Sequence, residues 1–371
     1  MNEYWQLQLS KIIDYLTRKK RPGFILIGSG VALLAGQKAL NFAITGDFSW
    51  GTLSVGTADS NFILDYMVPV LALVLIASGV VLTFIYEMQT IKQNSRKRII
   101  LITGDGLRTT SGTGLERVVK SILKGIVHPV EIDITQQIRN GVIIEPKRTF
   151  ERQILPAKDN IVQLLTKNEK DMTQIAYGGF LPVPFTFLLG NIIDDKGEVN
   201  VFDWDRKNDC WQIISTDKSD DGEEFISEKI NEINSDEIVL MISCSYKINY
   251  SQVKISFPEM GVEHLMLKEN TFDNHWSINK QRRLSMQFAE KVKTLSAQGI
   301  RTVHLILAAQ SSMALNFGRR YDSRNMPEII IYQYEQTSDN PYPWGIYGLT
   351  HGREDSGFVS HDLRIKTSGS I

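Results

Sequence analysis

Cysteine is nearly absent from this chain. Cys210 and Cys244 are the only two in 371 residues, far apart and in ordinary strand contexts. They suggest neither a disulfide framework nor a metal cluster, and a reducing cytosol fits them. Excess charge of either sign is also missing. A formal net charge of −1 gives no support for duplex nucleic acid as a partner, which needs a basic face. Six histidines (128, 264, 275, 304, 351 and 361) are scattered, with none at the spacing of a helical metal pair. His304 lies inside an apolar run and reads as a core histidine rather than a ligand. Asp194, Asp195, Asp203 and Asp205 have the chemistry to chelate a metal, but a turn and a strand end explain them as well. Ser312 has no Gly-x-Ser-x-Gly elbow around it. With no catalytic set, no metal site and no cofactor signature, the soluble part is expected to bind rather than catalyse.

Long hydrophobic runs occur only near the N-terminus. Residues 66–86 carry no charge and are long enough to cross a bilayer, which takes about 20 residues; Pro69 is tolerable there. Residues 22–44 form a weaker span, because Gln37, Lys38 and Asn41 interrupt it, although Lys38 lies toward one end and can snorkel. A cleaved signal peptide does not fit, since the charged start is too long and two spans follow. Arg18, Lys19, Lys20 and Arg21 precede the first span, and Lys92, Arg96, Lys97 and Arg98 follow the second. The loop 45–65 between them has Asp47, Asp59 and Asp65 but no Lys or Arg. The positive-inside rule then predicts a two-pass hairpin with both termini cytoplasmic.

On the first span, Gly28, Ala32, Ala35, Gly36, Ala39 and Ala43 form a small-residue stripe suited to close helix packing, with Gln37, Lys38 and Asn41 turned away from it. Either the stripe packs on the second span, or several hairpins assemble and turn the polar face toward a water-filled path. Residues 1–21 place Trp5, Leu9, Ile12, Ile13 and Leu16 near one helical face, which fits an interfacial helix or a cytosolic packing helix.

The remainder reads as α/β. Residues 99–103 (IILIT) form a strand that runs into GDGLRTTSGTG and a helix over 115–124. Gly-rich turns between strand and helix admit phosphate to backbone N–H groups. Here the third dinucleotide-binding Gly and the P-loop Gly-Lys-Ser/Thr are both missing, so the turn is an ordinary loop or a ligand loop. Gly104, Asp105, Gly106, Arg108, Thr109 and Ser111 are its candidate contacts. Further on, 302–308 is a buried strand. A small polar turn at Ala309, Gln310, Ser311 and Ser312 follows it, with Ser312 placed to cap a helix through Arg320, and 328–332 is the next strand. Ligands of open parallel sheets bind at such turns.

The same order occurs earlier: strand 174–177, turn 178–182, a helix ending near Gly190, then strand 199–204. Superposing Gly190 on Gly318 sets Phe185, Phe187 and Leu189 against Met313, Leu315 and Phe317, across 128 residues (318 minus 190). That period reads as a duplicated domain. A helix over 160–172, an acidic joint at 218–224, a strand over 238–243 ending in Cys244, Ser245, Tyr246 and Lys247, and a helix over 279–298 complete the pattern. The tail after Tyr347 reads as loose.

The stretches AYGGFLPVPFTFLLG…VNVFDWDRKNDCW and VHLILAAQSSMALNFGRRYD…EIIIYQYE…YPW resemble the SAVED domain, over roughly residues 96–344 and loosely in 130–159. A membrane hairpin ahead of it resembles the transmembrane SAVED effectors of bacterial CBASS anti-phage systems. The resemblance implies two tandem Rossmann-like (CARF-like) units, at 96–222 and 223–347, behind a hairpin at 22–95 and an N-terminal helix at 1–21, with a tail at 348–371. It also implies a cyclic di- or trinucleotide ligand, made by a partner nucleotidyltransferase. Binding would drive homo-oligomerisation and disruption of the inner membrane. The implied ligand-facing turns carry Gly104–Ser111, Tyr177 and Phe180, Ser245–Lys247 and Gln310–Ser312, with Arg319 or Arg320 as phosphate contacts. The alternatives are a membrane-anchored phosphodiesterase and a passive receptor whose hairpin is only an anchor.

Overall fold

The computed structural model describes residues 22–40, 44–48, 51–55, 66–94, 97–107, 114–194, 196–232, 235–348 and 357–361, without the side chains of 36–40, 44–48 and 51–55. The chain divides into two compact units, Met1–Ser95 and Arg96–Ile371. In the first, helices α1 (Pro22–Leu40) and α2 (Val68–Asn94) pack along one another. Between them, β1 (Ile44–Phe48) and β2 (Gly51–Val55) pair antiparallel where a loop was expected. One described helix, over Val68–Lys92, is long and apolar enough to cross a membrane; the apolar part of α1, Pro22–Ala35, is shorter.

The described part of the small-residue stripe, Gly28, Ala32 and Ala35, is exposed and does not make the contact between these helices. A Cβ on Gly28 would meet open space, whereas one on Gly30 would stand 2.6 Å from Ile76 Cγ1 and 2.7 Å from Ala72 O. Gly23 and Gly79 approach each other's backbones in the same way. A helix turns 100° per residue, so Gly28 and Ala32 lie across the helix from Gly23 and Gly30, and both are exposed in this unit. Gly36, Gln37 and Lys38 continue the α1 backbone. Asn41, Ala43 and the helix expected within 1–21 fall outside the described residues.

The second unit holds two large sheets and a two-stranded ladder. The five-stranded sheet runs β4 (Ile126–Asp133), β3 (Arg98–Asp105), β7 (Thr173–Gly179), β8 (Glu198–Asp205), β9 (Cys210–Ile213), with β9 antiparallel to the rest. Helices α3 (Leu115–Ile122), α4 (Leu155–Lys167) and α5 (Val183–Ile193) connect its parallel strands. A two-residue ladder, β5 (Ile138–Arg139) with β6 (Val142–Ile143), lies between β4 and α4. The helix expected over 160–172 is therefore shifted toward the N-terminus, with Pro156 in its first turn, where a missing N–H costs nothing.

The seven-stranded sheet runs β10 (Ile226–Asn231), β12 (Gly261–Met266), β11 (Glu237–Ser243), β13 (Thr302–Ala308), β14 (Glu328–Gln333), β15 (Trp344–Tyr347), β16 (Phe358–Ser360). Its helices are α6 (Tyr250–Ser256), α7 (Ile278–Ala297) and α8 (Ser311–Arg320). With β10 and β16 set aside, the order matches the first sheet strand for strand: β12-β11-β13-β14-β15 against β4-β3-β7-β8-β9, with the last strand antiparallel in both. β16 pairs with β15, so part of the tail expected to be loose is an edge strand.

The duplication is sealed where α5 crosses α8. A Cβ on Gly190 would overlap the Leu315 carbonyl, and a Cβ on Gly318 would overlap that of Phe187. Both pairs are related by the same 128-residue step (318 minus 190, 315 minus 187), so the crossing is two-fold symmetric in sequence. Only glycine lets the two backbones come this close. Cores run across the join: Leu315, Trp344 and Ile346 pack with Phe185 and Leu188, while Phe187 packs with Phe288 and Phe317.

Candidate ligand site

β3, β7 and β13 all end at one edge of the unit, and their last residues meet around the N-terminus of α8. The Gly-rich turn after β3 is built for close packing. A Cβ on Gly104 would stand 2.5 Å from Leu181 Cγ, and Gly179 lies against the Gly104 backbone. Phe180 N donates to Gly104 O at 2.7 Å, and Leu107 N donates to Phe180 O at 2.9 Å, so backbone bonds knit the two strand ends together. Asp105 is half-buried. Its carboxyl pKa is pushed up, first by burial and then by the neighbouring charges of Asp133 and Glu131. That corner repels anions. Arg108, Thr109 and Ser111 lie outside the described residues.

Tyr177 sits beneath this edge and is fully buried, which excludes the base-stacking role expected of it. Its hydroxyl shares a hydrogen bond of 2.9 Å with Ser311 Oγ and lies 3.3 Å from Thr186 Oγ1, tying the two halves together. Burial pushes its pKa up to about 12. Ser312 is buried too, and it caps nothing through Arg320. Its Oγ accepts from Gln281 Nε2 at 3.1 Å, and its N–H donates to Asp203 Oδ2 at 3.2 Å. A carboxylate from the first half therefore satisfies the start of a helix in the second, where the positive dipole end favours it.

Above these residues lies a cavity of about 280 Å³, lined by Leu107 and Phe180 from the first half, by Asp203 and Arg206 at the end of β8, and by Phe272, His275, Gln310 and Ser311 from the second. Gln310 Nε2 donates to the carbonyls of Thr271 and Phe272 and to Asn274 Oδ1, pinning the 271–274 loop over the cavity. Its Oε1 is buried without a partner. Arg206 holds its guanidinium 5.1 Å from the centre of the Phe272 ring, a cation–π pair at the mouth. His275 Nε2 is 3.5 Å from Asp203 Oδ2, and burial lowers the histidine's pKa. A second cavity of about 450 Å³ adjoins at Asp273, which lines both, and adds Lys207, Asn208 and Lys218. Lys207 pairs with Asp273 at 2.9 Å.

Of the expected contacts, then, Phe180, Gln310 and Ser311 face one cavity, with Tyr177 and Ser312 as its supports. Ser245 is buried and donates its N–H to Ala308 O, while Tyr246 and Lys247 are exposed at the end of β11 and do not line it. Arg319 and Arg320 do not belong to this edge. They end α8, about 13 Å along the helix from Ser311 at 1.5 Å per residue. There they line a separate cavity of about 500 Å³ with Asp194 and Arg282, and Arg319 Nε donates to Asp194 O at 3.1 Å. Sequence reasoning missed Arg206, Phe272 and His275. Asp203 was weighed there only as a metal ligand, and its strand-end position was the available signal. The loop carrying Phe272 and His275 matches no motif. Among the described residues no cluster of His, Cys, Asp and Glu is placed to hold a metal ion.

Two fused α/β units of matching strand order, with adjoining cavities at their shared strand-end edge, define a tandem Rossmann-like class of protein. Comparison with known proteins places the chain within it. Residues 157–347 match the SAVED family, the SMODS-associated and fused to various effectors sensor domain. Residues 3–150 match the SAVED-fused 2TM effector domain. The chain belongs to the SAVED family, as a sensor domain fused to a two-transmembrane effector domain, and the latter associates it with a membrane. Among solved structures it is similar to the Acinetobacter baumannii Cap4 SAVED/CARF-domain receptor with the cyclic trinucleotide 2′3′3′-cAAA, at 14% identity and TM-score 0.47, over 79% of this chain and 56% of that one. It is also similar to the same receptor with 3′3′3′-cAAA at 12% identity and TM-score 0.47, with the same coverage. The Moraxella osloensis Cap4 receptor is similar at 13% identity and TM-score 0.40, over 65% of this chain and 48% of that one. The chain thus spans about half the length of these receptors. No curated protein matches it.

Proposed function

We propose that this protein is a membrane effector that senses a cyclic di- or trinucleotide at the shared edge of its two α/β halves, oligomerises, and disrupts the bacterial inner membrane in anti-phage defence. The observation that carries this reading is the joining, in one chain, of a SAVED sensor match over 157–347 to a two-transmembrane effector match over 3–150. The chemistry of the site supports it. The two cavities that meet at Asp273 are together of the size that ligand pockets take. Arg206 and Lys207 supply cations for ligand phosphates, and Phe180 and Phe272 supply faces on which bases stack.

The ligand is the product of a partner nucleotidyltransferase. The hairpin crosses the membrane twice and leaves both termini in the cytoplasm, as the basic flanks require. Gly28 and Ala32, turned away from α2, suit packing between hairpins. Ligand drives assembly only through tighter binding to the assembled state; moving a 1:99 equilibrium to 99:1 needs about 5.5 kcal/mol of differential affinity. The protein is read as a receptor and not an enzyme. An acid–base alternative would rest on His304 and Lys247, and His304 is buried between Tyr332 and Glu237 while Lys247 is exposed at the end of β11.

The test is to titrate the full-length protein in detergent with a panel of cyclic di- and trinucleotides, reading mass by light scattering, and then to repeat with dye-loaded vesicles. Expected is sub-micromolar binding of one member, growth in mass and dye release. Tight binding with constant mass and no release would leave a passive receptor, and recovery of cleaved ligand would make it an enzyme.

A further inference from the structure

The strand pair between α1 and α2 carries a pattern that neither helix has. β1 and β2 pair in the register Ile44↔Val55, Thr45↔Ser54, Gly46↔Leu53, Asp47↔Thr52 and Phe48↔Gly51. Directly opposed residues of an antiparallel pair share a face, and successive residues alternate between faces. One face therefore carries Ile44, Gly46, Phe48, Gly51, Leu53 and Val55, and the other carries Thr45, Asp47, Thr52 and Ser54. Every large apolar residue falls on the first face and every polar residue on the second. The sheet has two strands and no third among the described residues. A hairpin of that size is marginal in water unless its apolar face is covered.

What covers it follows from the chain. Three residues separate α1 from β1, and twelve separate β2 from α2. Helix α1 is about 28 Å long at 1.5 Å per residue, close to the roughly 30 Å of a bilayer's hydrocarbon core. A chain that crosses along α1 therefore emerges from the lipid where the hairpin begins. The five-residue strands span about 17 Å and cannot cross in their turn, which takes about 9–11 residues. An element with one apolar face fits the boundary between headgroups and acyl chains, where that face enters lipid and the other stays wet. A second copy of the chain would cover the face only after assembly, whereas lipid lies beside it in the single subunit too. We propose that the hairpin is a lipid-binding element. Its apolar face is seated in the headgroup–acyl boundary of the outer leaflet, and it pins the outer ends of α1 and α2 there. This seat rests on the two-pass topology of the membrane-effector reading.

The experiment labels full-length Leu53→Cys and Thr52→Cys, neighbours on opposite faces, with a fluorescent NBD maleimide. Each is reconstituted in vesicles of phosphatidylcholine and phosphatidylglycerol, and the unsubstituted chain, with Cys210 and Cys244 alone, sets the background. Lipid carrying a nitroxide near the headgroup end of its acyl chain should quench the label at position 53, which iodide on both sides of the bilayer should spare. The label at position 52 should show the reverse. Ile44→Cys should follow position 53, and Asp47→Cys should follow position 52. Quenching of all four by the same agent, lipid or iodide, overturns the two-faced seat. So does a label at position 53 that neither agent reaches, because protein then covers that face. Topology is read separately, by treating cells with a permeabilised outer membrane and the Thr52→Cys chain with a membrane-impermeant maleimide. Reaction supports the outer side. No reaction, with the alternation of quenching intact, would overturn the outer-leaflet placement and the two-pass topology together while the lipid contact stands.

Discussion

The two α/β halves share a strand order and a pair of crossing glycines, yet they present different chemistry at the same edge. VFDWD in β8 aligns with IYQYE at the end of β14, which sets Asp203 against Gln333 and Asp205 against Glu335. Asp203 accepts the Ser312 N–H at the start of α8. Gln333, its counterpart, donates only to the next carbonyl and leaves Oε1 without a partner. Helix α5, the equivalent of α8, begins with Val183 and Pro184. Proline brings no N–H, so that helix has one donor fewer to satisfy. Asp205 turns to solvent and binds Asn208, whereas Glu335 turns inward onto Trp344. Duplication fixed the frame through backbone contacts, and single residues then gave the two halves of one edge unlike chemistry.

The frame can be broken at the crossing, where the largest effect is expected. Gly190→Ala and Gly318→Ala each drive a methyl into a carbonyl of the opposing helix. Each should cost about 3 kcal/mol or more, outweighing the gain of up to about 1 kcal/mol that alanine brings to a helix. Urea denaturation of the two variants should give losses that agree within about 0.5 kcal/mol. A clear inequality would mean that the halves are not equivalent at their crossing.

The repeat was legible in the sequence because Gly190 and Gly318 recur with their apolar neighbours at one period, but that the two glycines face each other's helix across a crossing was not, since a contact between helices leaves no trace in either one's own spacing. The strands were legible for a similar reason: 302–308 is an apolar run with few alternatives, and β13 occupies those residues. Edge strands were harder. β10 reads ISEKIN and is mostly exposed, so its composition carries no buried pattern, and β16 is three residues long. The site was half-legible. Turns follow strands and can be counted, but a loop such as 271–275 is placed by tertiary contacts, Gln310 above all, and leaves no periodic trace. Charged residues misled most where helix geometry decides: Arg319 is close to Ser312 in sequence and lies two helical turns away.

Acid should sharpen the contrast between the halves. His264, His275 and His304 all belong to the second half, and burial lowers the pKa of each. In the unfolded chain they titrate near 6.5. Between the folded value and 6.5 the unfolded state binds more protons, so stability is fully present above about pH 6.5 and is lost as pH falls through that window. Each histidine contributes at most about 1.4 kcal/mol per pH unit. The raised carboxyls of Asp105 and Glu335 slope the other way, from nearer pH 4. The urea midpoint should therefore drop between pH 7.5 and 5.5, and a midpoint that does not move would show that the histidines are not buried neutral.

A smaller effect separates Asp203 from Gln333. Asp203→Ala removes the acceptor for the start of α8, a loss of about 1–2 kcal/mol on the scale of helix N-caps. Gln333→Ala removes one donor bond to a neighbouring carbonyl and an acceptor that has no partner, so its polar cost should be lower. Denaturation of the two variants at pH 7.5 compares them directly. If the losses are equal, α8 is not held from the first half, and the cavity above Asp203 loses the contact that sets its floor. A larger loss for Asp203 would tie the rigidity of the ligand edge to a carboxylate reaching across the two halves. In that case any anion entering the cavity must settle beside Asp203, and Arg206 becomes the cation on which its binding turns.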